Sequence, residues 1–303
     1  LEKIRLDQFL TRQYPQYTRS RIKKLIEENF VSINGELCTK PSFILRGGEK
    51  VEMKRRAPEI PEAIPEDIPL NILYEDRDII VINKAAGMVA HPAPGNFAGT
   101  LVHALLYHCK DLAGIGGELR PGIVHRLDKG TTGVMVIAKN EQALRELSRQ
   151  FKSREVEKYY RALVFGKFPK KSGTISLAIG RDTAHRRKFS SKTKKAREAV
   201  THYEVEKQWE SLSFLKLKLE TGRTHQIRVH LSEMGHPIVG DTLYGAKSFL
   251  SMVKNEQVRS QLETVDRPLL HAAQLSLTHP TQKEKMTFSA PLPDDFKNVL
   301  GEI

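Results

Sequence analysis

The chain has 303 residues, 39% of them hydrophobic, and its 49 Lys and Arg against 36 Asp and Glu leave a formal net charge of +13. That length suits a sizeable core, or one large domain with a small one, and the positive surplus suits a polyanionic partner. No run approaches the ~18 apolar residues of a membrane span, no cleavable apolar leader is expected, and only two cysteines, Cys38 and Cys109, occur, which excludes a disulfide scaffold or a cysteine-rich zinc site and fits reduced thiols in a cytoplasmic protein.

Residues 1–56 carry 13 Lys/Arg against 7 Asp/Glu. Leu6, Phe9 and Leu10 predict one short helix face. Ile22, Leu25 and Ile26 predict a second, with Thr18 and Ser20 as cap candidates. FVSINGELC then alternates around Asn34-Gly35, a hairpin turn that tolerates positive φ, and Val51 and Met53 mark a last short strand. Arg19, Arg21, Lys23 and Lys24 leave one side of the second helix positive, either as a solvated face or as an anion contact. PEIPEAIPEDIP, residues 58–69, holds four prolines and four acids, and reads as an extended linker.

From residue 70 the pattern turns strand-rich. DIIVIN reads as a buried strand, and TLVHALLYHC, opened by Thr100 as a cap, as a helix. GVMVIAKN is a strand and EQALRELSRQF a helix. YYRALVFGKF, GTISLAIG, AVTHYEVEKQW and SLSFLKLKLE read as strands, and HQIRVHLSEMG as a helix. LLHAAQLSLTHP is a further buried segment, and Phe288 sits in a last strand before APLPDDF. Hairpin-like strands outnumber helices, so the fold class is α+β with a mostly antiparallel sheet.

The chain has no GxxxxGK[ST] loop, dinucleotide fingerprint, HExxH or nucleophile elbow. His225, His230 and His236 lack the cysteine company of a zinc site, so no metal or cofactor is expected. Three segments concentrate charge beside glycine and aromatics. In RPGIVHRLDKGTTGVMVIAKN, Ile123-Val124 runs into His125, Arg126, Leu127 and Asp128, and Gly130 and Gly133 bend the chain into the next strand. Asp128 is either a turn residue serving the backbone or a carboxylate presented into a groove. In VEKYYRALVFG, Tyr159 and Tyr160 point to opposite faces of a strand, with Lys158 just before them. In LETGRTHQIRVHLSEMGHPIVGD, Gly222 frees the turn before a helix. Arg223, His225 and Arg228 gather where that helix begins, with Arg228 on its second turn. Arg228 can hold a carboxylate from another segment, or make a phosphate contact or a surface ion pair. Residues 181–197 hold eight basic residues, among them Arg186, Arg187, Lys188, Lys192, Lys194 and Lys195, against one Asp. Such a run repels itself and is expected to be a mobile loop until an anion, naturally RNA, neutralises it.

The helix-plus-hairpin pattern around TRSRIKKLIEENFVSINGE resembles the S4 RNA-binding domain, over residues 1–57. HRLDKGTTGVMVIAKN, EKYYRALVFG and LETGRTHQIRVHLSEMGHPIVGDTLYG are similar to the three characteristic motifs of the HRLD-type (RluA) family of RNA pseudouridine synthases, over residues 70–303. The resemblance implies an isomerase acting on structured RNA, within its large-subunit subgroup on 23S rRNA or its precursor and there on the helix 69 stem-loop. It further implies no cofactor and a monomer. It places the catalytic aspartate on Asp128, the family tyrosine on Tyr160 after Lys158, the partner arginine on Arg228, and the arginine that enters the vacated stack on Arg126. Leu217 or Leu219 would line the pocket. His125, Arg223 and His225 join the basic residues of the S4 helix and of 181–197 as expected RNA contacts. Departures are Gly130 and Thr132, where the family usually reads HRLDKDTSG, His103 where asparagine is frequent, and NKAAG without its proline. None removes a catalytic group.

Overall fold

In the computed structural model, residues 3–14, 19–53, 63–92, 96–112, 115, 121–185, 187–193 and 195–303 are described, without the side chains of Arg21 and Asp111. The chain divides into two compact units, Leu1–Ile60 and Pro61–Ile303.

In the first unit, β1 (Ile4–Arg5), α1 (Leu6–Gln13), α2 (Arg19–Glu27), β2 (Val31–Ile33), β3 (Glu36–Leu37), β4 (Ile44–Leu45) and β5 (Val51–Met53) follow in order. β1 pairs with β4, and β2 lies antiparallel between β3 and β5. Leu6 and Leu10 of α1 and Ile22 and Ile26 of α2, each pair four residues apart on one helix face, form the core with Val31 of β2 and Leu45 of β4. Asn34 and Gly35 both take positive φ, 52° and 88°, which joins β2 to β3 without splaying them. Ser20 does not cap α2, because the helix already runs at Arg19, and Thr18 lies outside the described residues.

The second unit contains β6 (Ile72–Glu75), β7 (Ile79–Lys84), α3 (Leu101–His108), β8 (Thr132–Ala138), α4 (Glu141–Lys152), β9 (Glu157–Phe165), β10 (Ser172–Ser176), β11 (Gly180–Arg181) and β12 (Phe189–Ser190). They are followed by β13 (Val200–Gln208), β14 (Leu212–Leu219), α5 (Gln226–Glu233), α6 (Glu256–Glu263), β15 (Leu270–Thr278), β16 (Lys285–Ser289) and α7 (Asp294–Glu302). Its main sheet runs β10-β13-β14-β9-β15-β8-β7-β6, with β16 added to β15. Every pairing is antiparallel except β15 with β8. There, His271 and Ala272 face Thr132 and Gly133, after which β15 pairs with β16 instead. The class is α+β, as the strand pattern predicts.

Alternation in β7 explains its place inside the sheet. Ile80 and Ile82 enter one apolar cluster with Leu101 and Leu105 of α3 and Ile227 and Leu231 of α5. Ile79 and Val81 enter another with Ala143 and Leu147 of α4. α4 is opened by Asn140, whose side chain accepts from the Ala143 N–H. A third cluster packs α6 and α7 on Leu163, Phe165 and Leu212. The sequence reading ends on Phe288 and leaves out α7. Phe296 and Val299 anchor that helix, and Asp294 and Asp295 suit its positive N-terminal end. Among the described residues no helix is long and apolar enough to cross a membrane.

The parallel junction requires a glycine. Gly133 has φ +114°, and a Cβ there would lie 2.2 Å from the carbonyl oxygen of Ala272. Gly133→Ala is therefore expected to lower stability by about 3 kcal/mol or more, read as an earlier urea midpoint.

Candidate active site

Leu127 is buried in the core, and the Thr131 N–H donates to the Asp128 carbonyl at 3.0 Å, so the chain turns tightly before β8. Two buried cations hold this turn from either side. Arg267 donates through Nη1 to the Gly130 carbonyl (3.2 Å) while its Nε and Nη2 grip Asp295 (2.6 and 2.7 Å). Lys84 is 1% exposed, and its ammonium donates to the carbonyls of Ala85 (2.7 Å) and Met88 (2.9 Å), with that of Lys129 at 3.5 Å. Burial pushes this lysine down to about 8, against the pull of the Asp128 charge. Thr132, at one of the departures from the family pattern, lies 2.8 Å from Nδ1 of His271 through its hydroxyl.

The Asp128 side chain keeps 17% exposure, so it faces a groove while its backbone makes the turn. Arg228 Nη1 donates to its Oδ2 at 3.1 Å. The other edge of the same guanidinium is bidentate on the buried Asp241, Nε at 2.7 Å and Nη2 at 2.9 Å. These carboxylates outweigh desolvation and raise the arginine above its usual range. His225 Nε2 lies 3.8 Å from the same Asp128 oxygen. Arg228 sits in the first turn of α5 rather than the second. His225 just before α5, not Gly222, takes the left-handed conformation (φ 57°).

Tyr160 stands on β9, opposite Leu217 on one side and Ala272 on the other. It is 9% exposed, and burial, then the Asp128 charge, pushes its phenol up. Tyr159 faces the other way, with the ammonium groups of Lys216 and Lys218 over its ring at 5.4 and 5.5 Å. Tyr160, Asp128, Arg126, Arg223, His225, Arg228 and Leu219 line a recess of about 50 Å³. Arg126, Asp128, His225 and Arg228 also line an outer cleft of about 930 Å³. Leu217 is wholly buried beneath.

The remaining expected RNA contacts divide. His125 is a correction: its Nε2 accepts from the Val136 N–H at 3.1 Å and its ring stacks on Phe151 at 4.6 Å. It serves the backbone of β8, and burial, with the Lys158 charge, pushes it down to about 3. Lys158 is itself lowered by burial. Arg223 donates to the Glu198 carbonyl at 3.1 Å at the edge of the recess. In the first unit Arg19 grips the buried Asp7 at 2.8 Å, tying α2 to α1, whereas Lys23 and Lys24 are exposed.

The described residues of 181–197 are tied to their neighbours at several points. Gly180 and Arg181 pair with Phe189 and Ser190, and the Phe189 N–H donates to the Tyr244 hydroxyl at 2.9 Å. Arg187 reaches the outer cleft, and Lys192 and Lys195 are exposed, while Lys188 is half-buried. Self-repulsion is overcome because the hairpin is anchored by pairing and by Tyr244. Arg186, Lys194 and the Arg21 side chain lie outside the described residues.

Asp241, Tyr244 and Gln226 escaped the sequence reading. Tyr244 places its hydroxyl 2.8 Å from His225 Nδ1 and its ring 5.0 Å from the Arg228 guanidinium carbon. Gln226 accepts from the Arg223 N–H and the Thr221 hydroxyl, and donates to the Val200 carbonyl and the Thr201 hydroxyl, so it locks the start of α5 to β13. An aspartate and a tyrosine just after GHPIVG were the available signal.

Two groups among the described residues have metal-ligand proximity, Glu75–His108–Cys109 and Asp76–Asp78–His279. Both are tied up internally. Glu75 accepts from Lys139 (2.6 Å) and His108 (2.8 Å), and Asp76 and His279 pair at 2.8 Å. Neither includes Asp128. Cys38 and Cys109 are not joined in a disulfide.

The model of the RNA pseudouridylate synthase family matches residues 78–233, and that of the S4 domain residues 4–51. The chain is 50% identical over 302 residues to a protein of Aquifex aeolicus named "Uncharacterized RNA pseudouridine synthase", covering 99% of this chain and 94% of that one. It is 41% identical over 296 residues to "Ribosomal large subunit pseudouridine synthase D" of Pasteurella multocida, covering 98% and 90%. Among solved structures, "Human RNA Pseudouridylate Synthase Domain Containing 4" is similar with a TM-score of 0.60 and 29% identity, over 76% of this chain and 92% of that one. The chain therefore belongs to the RNA pseudouridine synthase family, enzymes that isomerise uridine in RNA, with an S4 domain ahead of the catalytic unit.

Two expectations follow. Asp241→Asn removes the charge that clamps Arg228 while preserving shape, so kcat is expected to fall about 100-fold and the melting temperature to drop, because Arg228 loses the charge of its bidentate partner in a buried site, while RNA affinity changes little. His125 is neutral in both states above its unfolded pKa near 6.5. Between that value and about 3 only the unfolded chain takes up the proton, so stability falls as pH falls. From pH 7 to 5 this histidine is expected to cost roughly 1 to 2 kcal/mol, and His125→Gln is expected to flatten that slope in denaturant titrations.

Proposed function

We propose that this protein converts uridines of 23S rRNA, in the helix 69 stem-loop, to pseudouridine, with Asp128 acting at the ribose of a flipped-out nucleotide. The observation that carries this reading is the Asp128 carboxylate, partly exposed and held 3.1 Å from Arg228 beside Tyr160. Relatives named "Ribosomal large subunit pseudouridine synthase D" in four bacteria, at 40% to 42% identity, support the ribosomal substrate.

The reaction breaks C1′–N1, turns the base, and forms C1′–C5. The proton lost from C5 is balanced by one gained at N1, and no electrons are exchanged. A carboxylate suits the first step in any of three ways: it stabilises positive charge growing on the ribose, attacks C1′, or takes a proton from C2′. Arg228, clamped by Asp241, aims that carboxylate. A phenol held above its ordinary range stays protonated at neutral pH. Tyr160 therefore serves as a ring against the base and as a hydrogen-bond donor, in preference to a phenolate base.

The inner recess holds a few waters and not a whole nucleoside, so side chains at its mouth give way as the base enters. Arg126 is exposed and lines both recess and cleft, which suits an arginine that swings out to fill the gap left in the RNA stack. Unpairing costs a few kcal/mol, less in a loop, and that arginine offsets part of it. Lys23 and Lys24 of the S4 domain, and Arg187, Lys192 and Lys195 of the basic hairpin, supply sequence-independent phosphate contacts, while the pocket selects uridine.

Asp128→Asn is expected to retain RNA binding and to lower product formation by at least about 100-fold. Mapping pseudouridines in RNA from cells that carry only this variant tests the substrate as well. Helix 69 uridines left unmodified are the expected result. Their full modification, with loss at another rRNA position or in tRNA, would move the activity there.

A further inference from the structure

The ring of Phe189 forms part of the wall of the outer cleft and has no part in the recess around Tyr160. It is half-buried. Its N–H is bonded to the Tyr244 hydroxyl, and the edge of His225 meets it at 5.4 Å and 69°. Arg181, its partner across the hairpin, holds a guanidinium carbon 5.6 Å from the ring centroid. Leu243 continues the apolar patch, and Arg126, Arg181 and Arg187 stand around it.

A flat ring with the Arg181 guanidinium over one face suits a nucleobase, because the base adds a layer to that stack while Arg126 and Arg187 take the adjoining phosphates. The base being isomerised belongs beside Asp128 and Tyr160, in the recess that Phe189 does not line. The base on Phe189 must then be another one, close in the chain. We propose that Phe189 is a stacking platform for a nucleobase flanking the target uridine, and that it sets the sequence context in which this enzyme acts. This rests on Asp128 marking the target, as argued above.

The test uses the full-length enzyme and a stem-loop RNA containing the helix 69 uridines, intact or with an abasic residue at each position next to a target. Phe189→Ala is expected to raise Kd and KM for intact RNA about tenfold and to leave kcat within about threefold. Phe189→Tyr is expected to match the wild type, and Phe189→Leu, which keeps bulk without a ring, to behave as Ala. One abasic position is expected to weaken binding of the wild type by a similar factor and to add nothing for Phe189→Ala. Kd unchanged by both the Ala and Leu variants, or abasic penalties equal in wild type and variant, would overturn the platform. So would a fall confined to kcat. Binding reads the platform and pseudouridine formation reads the enzyme, so failure of one is visible apart from failure of the other.

Discussion

A single guanidinium shared by two carboxylates organises this protein. Arg228 gives its Nε–Nη2 edge to Asp241 and the remaining Nη1 to Asp128. A planar fork can do this, whereas an ammonium could not fix both directions at once. Asp241 is buried and Asp128 is not, so the pair is asymmetric: one carboxylate serves as the anchor and the other keeps an edge exposed to the groove. Removing the anchor leaves a charge buried without its partner, which is costly in a low-dielectric site. Gln226 and Tyr244 brace the same helix start from two further sides, which gives the arginine little freedom to drift.

The sheet supplies the other half of the arrangement. β8 and β15 run parallel for only two residue pairs, and the turn bearing Asp128 lies just before that junction. Arg267 and Lys84 then meet the turn through the carbonyls of Gly130 and Lys129, not through the Asp128 carboxylate. The consequence is a positive environment around Asp128 in which, among the described residues, Arg228 is the cation that hydrogen-bonds to it. Fixing the turn through the main chain also explains why Gly130 and Thr132 can differ from the usual family residues without disturbing the site. The Gly130 contact uses its carbonyl, and Thr132 presents a hydroxyl to His271 as serine would.

Positive charge is spread over the chain, but it is geometry that separates the basic residues by task. Arg19, Arg228 and Arg267 each grip a carboxylate and hold elements together. Lys23, Lys24, Lys192 and Lys195 remain exposed and suit phosphate. The hairpin carrying Arg181, Arg187 and Phe189 joins the two groups, since it is docked on Tyr244 and still faces the cleft.

Much of the fold was legible because hydrophobic periodicity is a local property. The strands around Ile80, Val136 and Leu215, and the helices around Leu105, Leu147 and Leu231, follow from spacing alone. Asp128, Tyr160 and Arg228 stand out in the sequence because each lies in a short segment dense in glycine, charge and aromatics, and the fold brings all three around one recess. Hydrogen-bond partners are a different matter. His125 and His225 look alike in sequence, yet one accepts from β8 and stacks on Phe151, while the other stands beside Asp128. Ser20 resembles a cap and is helical, and the dense basic run resembles a loose loop and is an anchored hairpin. The amino-acid order by itself determined the fold class, the family motifs and the positive surplus. Only the tertiary structure decided that Asp241 and Tyr244 sit against Arg228 and His225, because those partners lie 13 and 19 residues back, and hydrophobic spacing does not show how the chain after α5 folds back on the start of that helix.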